Sequence, residues 1–251
     1  MLSGAVPIGI APDFSYRARA FVSVIKKTSL SRTLDGLNAV HFDNVALGTA
    51  ERRHVALWIA GRQGLPGAYG GTFAGLPAER TQGIVLFTGE RIQSASARHI
   101  LGEEASRALR LLRVSDASVT RAIEAADAGL LRCLARAAED PRHTNPGLFC
   151  CGKCSVGLWR NLLAGGLDRQ EERLQRGAGH LRAVRDGAHG WRRFPFWYVV
   201  LALSEMDDRE ARGELKYAAA ELSRVAKRAV PSAGYARRRH QLAVRALTRL
   251  D

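Results

Sequence analysis

The sequence predicts an all-α protein built from paired helices, and three observations carry that expectation. After about residue 50 apolar residues recur at helical spacing, period-two alternation is scarce, and β-branched residues are scattered rather than grouped. With 251 residues and 46% hydrophobic content the chain has material for one sizeable core. A single helical domain is therefore expected over residues 17–251, preceded by an irregular extension over 1–16.

In chain order, a helix over 53–61 runs into a Gly-rich turn. Residues 99–113 place Ile100, Ala105, Ala108, Leu109 and Leu112 on one side, and 118–138 repeats Val119, Ile123, Ala126, Leu130 and Cys133, so both read as amphipathic helices. A helix over 155–164 follows a cysteine-bearing turn. Asp168 with Glu171 is a candidate capping pair for a helix over 172–184, whose stripe is Leu174, Ala178, Leu181 and Val184 and whose end Gly187 marks. Pro195 can start the next helix, 196–206, which is apolar nearly all round and should lie inside. Residues 208–229 and 235–250 give two more amphipathic helices, broken by Pro231, with Asp207-Asp208 capping the first. Before residue 50 no element is legible.

The longest apolar stretch, near 194–203, is about half of the roughly 18 to 20 residues a membrane span needs, so no transmembrane segment is expected. Residues 1–12 lack the early basic residues and the continuous apolar run of a secretory signal, so a cytoplasmic location is expected. A formal charge of +14 favours polyanions, but most of it is arginine spread over many helices. The exception is the C-terminal stretch Lys227, Arg228, Arg237, Arg238, Arg239, Arg245 and Arg249, which reads either as a solvated face or as a contact for nucleic acid or another polyanion. Neither a phosphate-binding loop nor a dinucleotide fingerprint occurs, which disfavours nucleotide hydrolysis.

An Arg-x-Gly-x-x-Gly turn followed by an aromatic occurs twice, as Arg62 to Gly67 before Tyr69 and as Arg185 to Gly190 before Trp191. Its glycines permit a tight reversal and its aromatic can plug the space between helix pairs. The form Gln63, Gly67, Tyr69 resembles the repeat motif of the prenyltransferase and terpenoid-cyclase α/α toroids, and the cysteine-bearing turn before the helix at 155–164 is similar to their zinc-bearing repeat. The resemblance covers about half of the chain. It implies alternating outer and inner helices in a partial or open α/α toroid, with 196–206 an inner helix. The cyclases' acidic Asp-x-Asp-Asp motif is absent, so cyclase chemistry is not implied.

Three of the four cysteines fall in one short stretch, Cys150, Cys151 and Cys154, with His143 just upstream. For metal, Cys151 and Cys154 have Cys-x-x-Cys spacing, Cys150 or His143 is a third ligand, and a closed zinc site would need His189, His180 or His99 to arrive through the fold. For redox, the same pair at a helix N-terminus with Lys153 has the spacing of a reactive dithiol. For packing, small buried cysteines fill a helix start, as Cys133 fills the middle of its own helix. Glu103-Glu104 reads as an exposed face, and His99 and His180 as partly buried histidines. The aromatics Trp191, Phe194, Phe196, Trp197 and Tyr198 read as core, or as the lining of an apolar pocket with Tyr69, with Arg192 and Arg193 at its mouth for an anionic group.

Three functional expectations follow. The first is a toroid-like protein enclosing a pocket for a hydrophobic or prenyl-type small molecule, with zinc at the cysteines. The second is a non-catalytic scaffold that meets a polyanion or protein partner through its basic C-terminal helix. The third is a dithiol redox protein.

Overall fold

Ser29 opens the first helix: its hydroxyl accepts the N–H of Arg32 at 3.0 Å, and the buried carboxylate of Glu79 accepts from its hydroxyl and from the N–H groups of Leu30 and Ser31. The helix carries a buried stripe, Leu30, Leu34 and Leu37, that the sequence reading missed, and its cap also draws on an acid 50 residues away. In the computed structural model, which describes residues 24–140 and 145–250, the elements begin with α1 (Leu30–Phe42), α2 (Thr49–Ala60) and α3 (Pro77–Gln82). A two-stranded antiparallel hairpin, β1 (Ile84–Val85) and β2 (Arg91–Ile92), comes next, with Ile84 opposite Ile92. Strands of two residues carry no periodicity to read. Then come α4 (Ser96–Leu112), α5 (Ala117–Ala138), α6 (Gly152–Leu163), α7 (Gln170–Ala183), α8 (Phe196–Glu205), α9 (Arg209–Ala226) and α10 (Gly234–Thr248). The predicted extension over 1–16 and His143 lie outside the described residues.

The amphipathic stripes do what their spacing implies. Leu109 and Leu112 of α4, Leu130 and Cys133 of α5, and Leu174, Ala178 and Leu181 of α7 are buried. From Tyr198 to Ser204 every residue of α8 is buried, as its all-round apolar character requires. Asp208 caps α9 by accepting the N–H of Ala211 at 2.7 Å. The capping pair expected at Asp168 and Glu171 does not form. Arg169, in a left-handed conformation, precedes α7, and Asp168 is drawn instead to the guanidinium of Arg173 at 3.0 Å. No helix of the described residues is long and apolar enough to cross a membrane.

Helix contacts follow an order. α1 packs on α4, α4 on α6, α6 on α8 and α8 on α10, while α2 and α5 pack on α4, α7 on α6, and α9 on α8 and α10. From α10, Arg238 returns to Asp35 of α1 at 2.6 Å, and Arg245 lies over the Phe42 ring at 3.8 Å.

Both Gly-rich turns close in the same way. In the first, the N–H of Gly64 donates to the Thr72 carbonyl and that of Ala74 to Arg62; in the second, Asp186 donates to Gly190 and Arg192 to Val184. Gln63 thus bridges Phe73 as Arg185 bridges Trp191. The counterpart of Trp191 is therefore Phe73, not Tyr69 as the motif spacing suggested. Tyr69 is freed for a different neighbourhood, and the first turn rests on α5 where Gly129 meets Gly70, with no room for a Cβ at either contact.

Candidate metal centre

The loop before α6 is fixed from below. The indole N–H of Trp159 donates to the Gly147 carbonyl at 2.6 Å, Arg173 donates to the Pro146 carbonyl at 3.0 Å, and the Ser155 hydroxyl both accepts the N–H of Phe149 and donates to the Cys151 carbonyl, each at 2.9 Å. At its tip the N–H of Cys151 donates to the Phe149 carbonyl at 2.5 Å, closing a three-residue turn with Cys150 at the apex and φ at 57°. A cysteine in left-handed backbone costs of order 1 to 3 kcal/mol, a strain typical of functional sites. Its effect is geometric, since in an extended strand successive side chains would point to opposite sides.

His99 comes to this loop from α4. Its Nδ1 lies 3.3 Å from the Cys154 sulfur, and one ligand atom each from His99, Cys150 and Cys154 lies within 4.8 Å of the other two. These three residues could hold a metal ion. Cys151 lies alongside, its sulfur 3.6 Å from that of Cys154 and 3.4 Å from the hydroxyl of Ser96. Ser96 and His99 are three residues apart on α4 and so face the same way. Both α4 and α6 begin at the cluster, and their positive ends favour thiolates there. Cys154 and His99 are buried, whereas Cys150 and Cys151 are exposed, so the cluster opens to solvent on the loop side.

Tyr69 lies tilted against His99 with ring centroids 3.6 Å apart, and Phe149 completes an aromatic wall at 5.4 Å from His99 and 5.8 Å from Tyr69. Behind them lies Cys133 of α5, whose sulfur accepts from Arg136 at 3.2 Å. Hydrogen bonds from Cys154 and Ser96 and from the amides of Cys154 and Lys153 bring the Cys151 thiol down to about 4, against the desolvation of partial burial. Its bond to Cys151, burial and the Cys151 charge push Cys154 far up, and burial followed by the same charge raises Cys150. Desolvation lowers His99 to about 4, so its imidazole is neutral near pH 7 and able to ligate. Burial, then the bond to Cys133, raises the Tyr69 phenol.

Of the predicted metal residues, the fold brings Cys150, Cys151 and Cys154 together and supplies His99 as the histidine. His180 packs on Phe194 and His189 on Tyr217. Ser96 and Phe149 went unnoticed in the sequence, because nothing local marks them. The predicted pocket residues separate into different surroundings. Tyr69 joins the cysteines; Trp191 donates to Glu214 at 2.8 Å and stacks on Phe196; Phe194 stacks on Trp159; Arg192 donates to the Arg185 carbonyl; Tyr198 is buried with its hydroxyl on Glu104.

Glu103 and Glu104 correct the expected exposed face, for both are buried. Glu104 accepts from Arg160, Asn38 and Tyr198, and Glu205 accepts from Arg107 and Arg160 at 2.9 to 3.0 Å, so α1, α4, α6 and α8 meet on one ionic network. Glu103 points elsewhere, to Asn161 at 2.7 Å, as the 100° turn between neighbours on a helix requires. The internal partners of α4 and α6 make these acids legible only in three dimensions. No family model, curated protein or solved structure matches this chain.

Proposed function

We propose that this chain is a zinc-binding helical protein in which His99 Nδ1 and the sulfurs of Cys150, Cys154 and Cys151 hold the ion. The observation that carries the reading is the convergence of His99, Cys150 and Cys154 within 4.8 Å, from two elements about 50 residues apart in sequence. A tetrahedral zinc with Zn–S near 2.3 Å and Zn–N near 2.0 Å has ligand-to-ligand edges of about 3.5 to 3.8 Å. The Cys151–Cys154 and Cys154–His99 separations, 3.6 and 3.3 Å, fit such edges. Soft thiolates with an imidazole select zinc over magnesium or calcium. Cys151 closes the coordination by a rotation of its exposed side chain.

The ion would then clamp the loop before α6 to the start of α4, beside the turn that carries Tyr69. A partial or open α/α toroid is the architecture that goes with this reading; the contact order through α1, α4, α6, α8 and α10 and the contact of α10 with α1 support it. Between α1, α4, α6 and α8 lies a polar network, which favours a zinc-stapled scaffold over an enclosed prenyl pocket. Several cations that a polyanion would meet on α10 are held within the fold, though among the described residues only Arg238 and Arg249 face an acid. Arg238 is paired with Asp35, Arg239 donates to the Thr88 carbonyl, Arg245 lies on Phe42 and Arg249 donates to the Met206 carbonyl.

Elemental analysis of protein purified without a metal-binding tag is the test. Near-stoichiometric zinc, lost in His99→Ala and in Cys154→Ala while helix content by circular dichroism is retained, is expected. Freshly reduced wild-type protein without metal would overturn the reading, and a Cys151–Cys154 disulfide found on mild oxidation of that sample would favour the dithiol alternative.

A further inference from the structure

Away from the cysteines, α1, the loop after it, α2 and α4 line a half-open cavity of about 400 Å³. Its walls are aliphatic, from Leu34, Leu37 and Val40 on α1, Leu47 on the loop, and Leu111 and Leu112 on α4. The polar lining consists of Asn38, His41, Arg52 and Arg107, with no carboxylate among the lining residues. That imbalance is the first sign of a ligand, because an apolar site with a few convergent polar groups of one kind is how small-molecule sites are built.

The cationic groups are not equivalent. Arg107 is already engaged, donating to Asn38 and to Glu205 at 2.9 Å each, so its charge is balanced by the ionic network. Arg52 is not balanced. Its Nε–H is buried without an acceptor, and a terminal nitrogen reaches only the Thr49 hydroxyl, at 3.3 Å. No acid among the described residues faces this guanidinium, and its terminal nitrogens, unlike the buried Nε, remain to meet a ligand oxygen from the cavity it lines. His41, exposed at the rim, makes no side-chain hydrogen bond among the described residues and can donate into the same cavity.

We propose that this cavity binds an aliphatic carboxylate of about ten carbons, its chain against the leucines and its carboxylate on Arg52 and His41. One unbalanced guanidinium calls for one negative charge rather than the two of a phosphate ester. At about 30 Å³ per water-sized group the cavity holds roughly a dozen non-hydrogen atoms, the size of decanoate. This site is independent of the proposed zinc site.

Isothermal titration of the full chain with sodium decanoate, below its micelle concentration, tests the proposal, with 1-decanol as the uncharged control. Decanoate should bind at least tenfold more tightly than decanol. Arg52→Gln should weaken decanoate by about tenfold to a hundredfold, as loss of a charge-assisted hydrogen bond implies, with little effect on decanol. Leu111→Trp, which fills the cavity from a half-buried position, should abolish binding in a protein with unchanged circular dichroism. Decanoate binding should persist in His99→Ala, which separates the result from the zinc reading. Absence of decanoate binding, equal affinity for decanol, or binding unchanged in Leu111→Trp would each overturn it.

Discussion

Glu103 is a buried acid whose charge the fold suppresses, and Glu103→Gln should therefore stabilise the protein. Burial pushes its carboxyl up to about 8, more than its bond from Asn161 and the nearby Arg110 lower it. In the unfolded chain the same group ionises near 4.5. The sign follows from proton counts: between those two values the folded state keeps a proton that the unfolded state releases, so stability falls as pH rises. The slope is about 1.4 kcal/mol per pH unit, and by pH 7 the cost amounts to about 3 kcal/mol. Glutamine keeps the oxygen that accepts from Asn161 at 2.7 Å and cannot ionise. Urea denaturation of both proteins at pH 4.5, 6 and 7 should give similar midpoints at the lowest pH and a variant that gains progressively, by about 3 kcal/mol at pH 7. Equal effects at every pH, or a variant less stable throughout, would refute the argument, because a purely steric change carries no pH dependence.

The other predictions concern the network and the contacts that close the fold. Against the desolvation of burial, Arg160 and Arg107 hold Glu205 down to about 2, so its contribution is complete above about pH 4.5 and is lost as pH falls towards 2. Glu205→Gln should cost up to about 3 kcal/mol at pH 7 and much less at pH 2.5, read from denaturation midpoints. Asp208→Ala removes the α9 cap and should cost about 1 kcal/mol, visible as a drop of a few degrees in Tm. Gly129→Ala drives a methyl into the Gly70 carbonyl and should destabilise by about 1 to 3 kcal/mol, with faster proteolysis in the first Gly-rich turn as a second readout. If zinc is held as proposed, a chelator should lower the Tm of wild-type protein and leave His99→Ala unmoved.

How much of this was legible in the sequence divides along a physical line. Helix content followed from periodicity, and seven helices after residue 95 were readable, most from an apolar stripe such as Leu109 with Leu112 or Leu174 with Leu181, α8 from its all-round apolar character and α6 from the turn before it. The cysteine triplet was equally plain, since Cys150, Cys151 and Cys154 lie within one short stretch. Tertiary structure decided the rest. The acid that caps α1 sits on α3, the histidine that joins the cysteines sits on α4, and the motif made Tyr69 the counterpart of Trp191 although the backbone bridges Gln63–Phe73 and Arg185–Trp191 make it Phe73. Two adjacent acids, Glu103 and Glu104, that look solvent-facing are buried because α6 brings Asn161 and Arg160 to them. Local spacing fixes which side of a helix is apolar. Which polar groups that side meets depends on the helix packed against it, and a charge can be buried only where a partner from a distant part of the chain repays its desolvation.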